Sequence, residues 1–237
     1  MLEEVAASAT PVSASDVAAR AGVNRGTAWR LLATLEHFQL VEREPVGGRY
    51  VAGVGAARIA AASRAPALVR RARPVLERLG AQLNENCYLQ VSSGLTLPVL
   101  DEVRAQRPVT VELDDTDVPL HCGSVGKLFL ALLPEPEREE FLRAPLERYT
   151  PGTVTDPAAL RAELAEARER GFAVAYREHE AEWGGITAAA HDQAGRPLAY
   201  LNVTVPAYRY TRETLTALSA SLLPAARALE ERLRPGA

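Results

Sequence analysis

The sequence predicts an α+β chain in two parts, a small N-terminal unit of helices closed by a hairpin and a larger antiparallel sheet flanked by helices. Three observations carry this. Residues 13–38 hold two helix signatures separated by a glycine turn, and residues 40–52 hold two short strand patterns around Pro45-Val46-Gly47-Gly48. Beyond Asn84, β-rich runs alternate irregularly with helix signatures. The chain has 237 residues, 47% hydrophobic and 24% charged, which is enough to bury a core and excludes collagen-like or low-complexity classes.

The first helix opens at Ser13, with Asp16 three residues later in a capping-box pattern, and runs through Val17, Ala18 and Ala21 until Gly22 ends it. Asn24 caps the second helix. Its residues Ala28, Leu31, Leu32, Leu35 and Phe38 form an apolar stripe, and Arg25, Gly26, Trp29, Arg30 and Ala33 lie opposite. Two short helices joined by a glycine turn, with small Ala18 at the crossing, make a helix-turn-helix. The strand patterns at 40–44 and 49–52 then make a hairpin that reads as a wing.

This arrangement points to duplex DNA. Arg25 and Arg30 can reach guanine edges or phosphates, Arg43 and Arg49 sit at the wing edges, and Asn24 and Thr27 in the first turn can hold a phosphate. Tyr50 next to Arg49 and Trp29 on the polar face complete the expected contact set. Packing of Trp29 on the wing or on the first helix is the alternative. Charge agrees: residues 1–84 carry 11 Arg against 7 acids, and the remainder carries 16 cations against 23 acids.

Residues 54–84, rich in Ala and Arg, read as a helical connector in two helices, with Pro66 starting one and Pro74 kinking or restarting one. In the second part, 87–91 and 95–102 read as a hairpin and 109–113 as a further strand. A helix follows Gly123, and another runs from Asp156-Pro157 to Gly171. Strands follow at 172–176, 186–191 and 198–205. A closing helix spans 212–233 with a kink at Pro224.

Little here suggests a reaction. The four histidines lack metal-ligand spacing, and Cys87 and Cys122 are too few for a disulfide framework or a thiolate metal site. Ser124 near His121 and Cys122 has no GxSxG elbow, so the chain is expected not to be an enzyme and to need no cofactor. The acidic N-terminus and the lack of long apolar runs point to a cytoplasmic protein with no membrane partner. The turn at Gly123-Ser124-Val125-Gly126-Lys127 reads as an anion cradle in which the amides of Ser124 and Val125 would hold a carboxylate. Lys127 is expected to pair within the fold. Asn202 and Thr204, two apart on one strand, project from one sheet face toward a polar ligand.

Residues 13–53, SASDVAARAGVNRGTAWRLLATLEHFQLVEREPVGGRYVAG, resemble the winged N-terminal domain of IclR-type bacterial transcriptional regulators. The resemblance resumes at HCGSVGKLFLALL (121–133), GFAVAYREHEAEWGGITAAAHDQAGRP (171–197) and LNVTVPAYRYT (201–211). It implies a DNA-binding domain at 1–53, a connecting and dimerising segment at 54–84 and a GAF-like effector-binding domain at 85–237. The implied partners are operator DNA, a small organic acid or aromatic metabolite, and a second copy of the chain, with dimers pairing into tetramers in some members. Carried onto this sequence, the effector site includes Cys122, Ser124 and Val125 on one wall and Asn202 and Thr204 on the other. Ala175, Glu178, Trp183 and Gly185, with Tyr176 and Ile186 beside them, occupy its side and lid. Two departures stand out: Trp29 replaces a smaller polar residue, and Asn202 replaces a serine. Two other readings compete, a thiol sensor using Cys122 or Cys87 and an enzyme with a DNA-binding appendage.

Overall fold

The computed structural model of the protein describes residues 1–8, 10–44, 47–56, 66–113 and 118–234. The chain divides into two compact units, Met1–Arg64 and Ala65–Ala237.

In the first unit, helices α1 (Leu2–Ala6), α2 (Ala14–Arg20) and α3 (Arg25–His37) precede strands β1 (Val41–Arg43) and β2 (Tyr50–Ala52). The Ser13 hydroxyl accepts the Asp16 amide at 3.1 Å and donates to the Asp16 carboxylate at 2.7 Å. That bond holds the Asp16 carboxyl below its usual range. Gly22 takes φ +65° in the turn, and Asn24 Oδ1 accepts the Thr27 amide at 2.8 Å to start α3. The two strands pair antiparallel from Val41↔Ala52 to Arg43↔Tyr50. Of the wing loop, Pro45 and Val46 lie outside the described residues.

The core of this unit is Val5, Val12, Val17, Leu32, Val41 and Tyr50. The expected stripe on α3 is narrower than its spacing suggested. Ala28 and Leu32 are buried, whereas Leu31 is 43% and Phe38 60% exposed. Leu31 sits one position to the side of Leu32, and Phe38 is the C-cap, where the helical periodicity no longer applies.

In the second unit, α4 (Pro66–Leu83) leads into β3 (Asn86–Gln90) and β4 (Val99–Val103). Helices α5 (Ser124–Leu132), α6 (Glu135–Arg143) and α7 (Pro157–Arg170) follow, then β5 (Phe172–Tyr176), β6 (Trp183–His191), β7 (Pro197–Pro206), α8 (Arg212–Ala217) and α9 (Ser219–Leu233). The five strands form one antiparallel sheet in the order β4-β3-β7-β6-β5. Alternation splits it into two faces. Cys87, Leu89, Ile186, Ala188, Leu201, Val203 and Val205 meet Ala72, Val75, Leu76 and Leu79 of α4 and Leu222, Ala226 and Leu229 of α9. The other face meets Val125, Leu128 and Phe129 of α5 and Leu160 and Leu164 of α7.

Several expected boundaries move. Residues 109–113 form no strand; their backbone is held by side chains instead, with Val111 O accepting from Asn86, Tyr88 and Thr204. The second strand of the first hairpin starts at Val99, after Pro98, which has no N–H to give the ladder. Helix α4 runs unbroken through Pro74, and the terminal helix breaks at Leu218 while α9 continues through Pro224. Packing of α4 and α9 on the sheet outweighs the one backbone bond each proline removes. Helix α6 was not expected, because its two apolar residues, Phe141 and Leu142, are adjacent and set no period. In the connector, residues 57–65 lie outside the described residues.

The start of α5 is close against the preceding loop. A Cβ on Gly126 would stand 2.4 Å from Leu120 Cα. Gly126→Ala gains up to about 1 kcal/mol of helix propensity, but overpacking costs roughly 1–3 kcal/mol. The clash is expected to win, lowering the urea midpoint of the second unit's transition.

Candidate DNA interface and ligand-sensing face

On α3 the surface opposite Ala28 and Leu32 is open. Arg25, Trp29 and Arg30 are exposed, and among the described residues neither guanidinium makes an ion pair. Thr27 is half-buried and gives its amide to Asn24, so the first-turn cap is already closed. The wing arginines are anchored to backbone: Arg43 Nε donates to Gly48 O at 3.3 Å and Arg49 to Pro11 O at 3.2 Å. These contacts orient both side chains without neutralising them. Tyr50 is placed differently from expectation. It is 3% exposed, with its ring in the unit's core and its backbone bridged to Val12, so it supports the wing from beneath. The register places it on the same face of the hairpin as buried Val41, which turns the ring toward the core.

In the second unit the polar side chains gather on the sheet face beneath α5. Ser124 Oγ and Thr187 Oγ1 hydrogen bond at 2.8 Å, and both reach Asn202 Oδ1, at 3.3 and 3.1 Å. Asn202 Nδ2 donates to Gln90 Oε1 at 3.1 Å, and Gln90 donates on to Leu97 O. Gly185 lies against this knot, where a Cβ would stand 2.8 Å from Ser124 Oγ. Thr204, opposite Gly185 in the register, donates to Val111 O at 2.8 Å. Ser124, Gly185, Asn202 and Thr204 therefore do converge, but their polar groups are already engaged within the fold, by Thr187, Gln90 and Val111 O and by the Ser124–Asn202 bond. Tyr200 shares their face, is fully buried, and its hydroxyl has no hydrogen-bond partner among the described residues. Burial pushes that phenol up to about 12. Val125 is buried on the first turn of α5, and Ala175 is buried opposite Gly185 on β5.

Glu178 is part of the fold's own ion-pair network. Its carboxylate is buried and pairs with Lys127, and with Arg212 at 3.0 Å, while Lys127 also pairs with Glu163 at 2.6 Å. Burial pushes the Glu178 carboxyl up against the opposing pull of Lys127. Trp183 ends a row of neighbouring rings, His121, Tyr149, His179 and Trp183, with centroids 5.1 to 6.0 Å apart. It is thus at the rim of the knot rather than in it. Sequence reasoning missed Gln90, Thr187 and Tyr200. The alternation of NCYLQ at 86–90 and the step from Tyr200 to Asn202 were the available signals.

Both thiols are buried and free, and burial pushes each up to about 12. That leaves a negligible thiolate fraction at neutral pH, so the thiol-sensor alternative has no chemical support. Among the described residues no cluster of His, Cys, Asp or Glu could hold a metal ion, and no helix is long and apolar enough to cross a membrane.

Residues 60–231 match the family model for the bacterial transcriptional regulator IclR C-terminal domain, and residues 1–45 match that for the IclR helix-turn-helix domain. The chain belongs to the IclR family. It is similar to the HTH-type transcriptional regulator BhcR of Paracoccus denitrificans, with 31% identity over 93% of this chain and 80% of the relative. Among solved structures it resembles IclR of Thermotoga maritima, with TM-score 0.65 and 26% identity over 98% and 95% of the two chains. It also resembles an IclR homolog of Microbacterium hydrocarbonoxydans complexed with 4-hydroxybenzoate, with TM-score 0.64 and 30% identity over 98% and 96%. The α+β architecture and the helix-turn-helix expected from the sequence are those of the IclR family, and this IclR-family chain is a DNA-binding transcriptional regulator.

Two outcomes are expected. Lys127→Met leaves the buried Glu178 carboxylate with the exposed Arg212 as its remaining ion-pair partner among the described residues and should cost up to about 3–5 kcal/mol in urea unfolding, with Lys127→Met/Glu178→Leu less damaging than the single change. Iodoacetamide at pH 8 should leave Cys87 and Cys122 unmodified in the native protein and alkylate both after unfolding, as mass spectrometry would show.

Proposed function

We propose that this IclR-family regulator binds a pseudo-palindromic operator as a two-fold dimer, with affinity set by a small carboxylate held on the polar sheet face. The supporting observation for the DNA half is the pair Arg25 and Arg30, exposed on α3 and unpaired among the described residues. A two-fold dimer would set two such helices about 34 Å apart along one face of a duplex.

The carboxylate class follows from the donors on the sensing face. Lys127, the single lysine, is already paired with Glu163 and Glu178. What remains for an anion is the N-terminal turn of α5, at Ser124 and Val125, and the Tyr200 hydroxyl, unpartnered among the described residues. An acid with an aromatic or short aliphatic body suits a face that also carries Val125, Ala175 and Ala189. The solved homolog complexed with 4-hydroxybenzoate favours the same class. Binding would have to rearrange the Ser124–Thr187–Asn202 knot, and Asn202 in place of a serine sets its shape.

We read no reaction in this face, because Ser124 is bonded to Thr187 and Asn202, and His121 to Glu147 O. We assign 1–53 to DNA, 54–84 to connection and dimerisation, and 85–237 to sensing, in the cytoplasm. Helix α4 lies on the opposite sheet face, so a ligand-driven shift of β7 reaches α4 through Val75, Leu76 and Leu79. The effect on DNA then equals the difference in ligand affinity between the two arrangements.

The test is binding of the full chain to a duplex selected by it from a random pool. Arg30→Ala should weaken binding at least tenfold and flatten the salt dependence while leaving the fold intact by circular dichroism. Benzoate-type and short aliphatic acids should raise the thermal midpoint of the wild type and shift its DNA affinity, and Tyr200→Phe should lose most of that response. Failure to retain any duplex at low salt would overturn the DNA reading, and a carboxylate panel without effect would overturn the sensing one.

A further inference from the structure

We propose that Trp29 reads thymine through its C5 methyl group, making it a specificity-determining residue of the DNA interface; this inference rests on the DNA reading above. The indole is 57% exposed, the larger of the chain's exposed aromatic groups on α3 itself, and among the described residues it makes no hydrogen bond, ring stack or cation–π contact. Packing on the wing or on α2 would have hidden it. Its helical neighbours explain why it stays bare. Three and four residues away on the solvent side are Gly26 and Ala33, which have too little side chain to cover a ring. A Cβ added to Gly26 would meet only Asn24 Oδ1, at 3.5 Å, so that side of the helix is open.

A large apolar side chain left in water beside two unpaired guanidiniums fits a contact surface. The flanking residues say with what. Arg25 and Arg30 lie four residues before and one after Trp29, exposed and unpaired among the described residues. A helix that brings those guanidiniums to a duplex brings the indole to the floor or wall of the major groove. Base edges there present oxygen and nitrogen donors and acceptors, and the apolar group among them is the thymine methyl. The indole N–H is one donor and cannot by itself distinguish N7 or O6 of guanine, N7 of adenine and O4 of thymine. The ring face can, by covering a methyl that only thymine carries. Gly26 and Ala33 serve the same contact, because they let the helix backbone come close enough for a side chain rooted at its edge to reach the base.

The experiment uses the selected duplex in two forms, one normal and one with deoxyuridine replacing every deoxythymidine, titrated with the wild-type full chain and with Trp29→Ala and Trp29→Phe. Uracil keeps every hydrogen-bonding group of thymine and lacks the methyl. The wild type is expected to bind the uracil form about fourfold more weakly for each methyl it covers. Trp29→Ala is expected to bind both forms alike, at the weaker level, and Trp29→Phe to keep part of the preference. Because the indole is largely exposed and makes no hydrogen bond, ring stack or cation–π contact among the described residues, both variants should unfold close to the wild-type temperature. A wild type that binds the two forms equally overturns the inference while leaving the DNA reading intact. So does a Trp29→Ala protein that still prefers thymine because it weakens on both forms by the same factor, which would make the indole a backbone contact. A chain that retains no duplex in the selection overturns the DNA reading itself.

Discussion

Side-chain alternation along β7 is the constraint from which the second unit follows. The strand pairs with β3 on one side and β6 on the other, so Leu201, Val203 and Val205 fix one face and Tyr200, Asn202 and Thr204 the other. A slip of one residue would bury Asn202 and Thr204 among the aliphatic side chains of α4 and α9, leaving hydroxyl and amide groups without partners. The register is therefore held by what it excludes as much as by what it joins. It also sets Asn86, Tyr88 and Gln90 of β3 directly beside Thr204, Asn202 and Tyr200. Residues 112 positions apart thus meet in a single hydrogen-bonded knot. A polar face assembled this way is rigid, since the side chains it joins stand on strands and, for Ser124, on a helix.

The turn after β5 is held by a second device. Arg177 takes φ +58°, a conformation costly for a residue with a Cβ, and it persists because neighbours over-determine it. Thr150 donates to Arg177 O at 2.6 Å and Thr153 to Glu178 O at 2.6 Å. Lys127 and Arg212 then hold the Glu178 carboxylate that the turn directs inward. Burying this pair costs desolvation, and burial raises the Glu178 carboxyl against the opposing pull of Lys127. Its effect is geometric: it ties the middle of α5 to the end of β5, so the first turn of α5 is fixed relative to the polar face that it helps to line.

The legible parts of this fold are those decided locally. Ser13, Asn24 and Asp156 each accept the amide three residues on, and each helix begins where its cap stands. The apolar runs at 172–176, 186–191 and 198–205 became strands within three residues of their expected ends. What could not be read was decided by distant partners. Residues 109–113 have a strand's composition, yet β4 already covers that edge of β3, so their carbonyls are taken by side chains of β3 and β7. Tyr50 looked like a wing contact beside Arg49, but the pairing of β2 with β1 turned it inward. In the site, the Asn202–Thr204 spacing was readable from one strand alone. Gln90 and Thr187 required knowing which strands neighbour β7, and the Glu178–Lys127 pair required knowing where α5 lies.

Helix α4 covers much of the sheet's apolar face. It begins at Pro66, just after the boundary of the first unit at Arg64, and it packs along the sheet through Ala72, Val75, Leu76 and Leu79. Such a close-packed contact does not absorb a displaced strand as a liquid would, so a shift of β7 must be answered by a shift or bend of the helix. Pro74 sits within this contact and leaves the helix one backbone bond short. Arg73 beside it is tied to Asp101 on β4 at 2.9 Å, and Arg71 to the carbonyls at the end of α9. The N-terminal half of α4 is thus gripped by the outer elements of the unit and its C-terminal half by the centre of the sheet, with the missing bond between them. The turn before Pro74 is therefore the part of α4 least held by the helix's own backbone bonds, lying between two ends fixed by different elements of the unit.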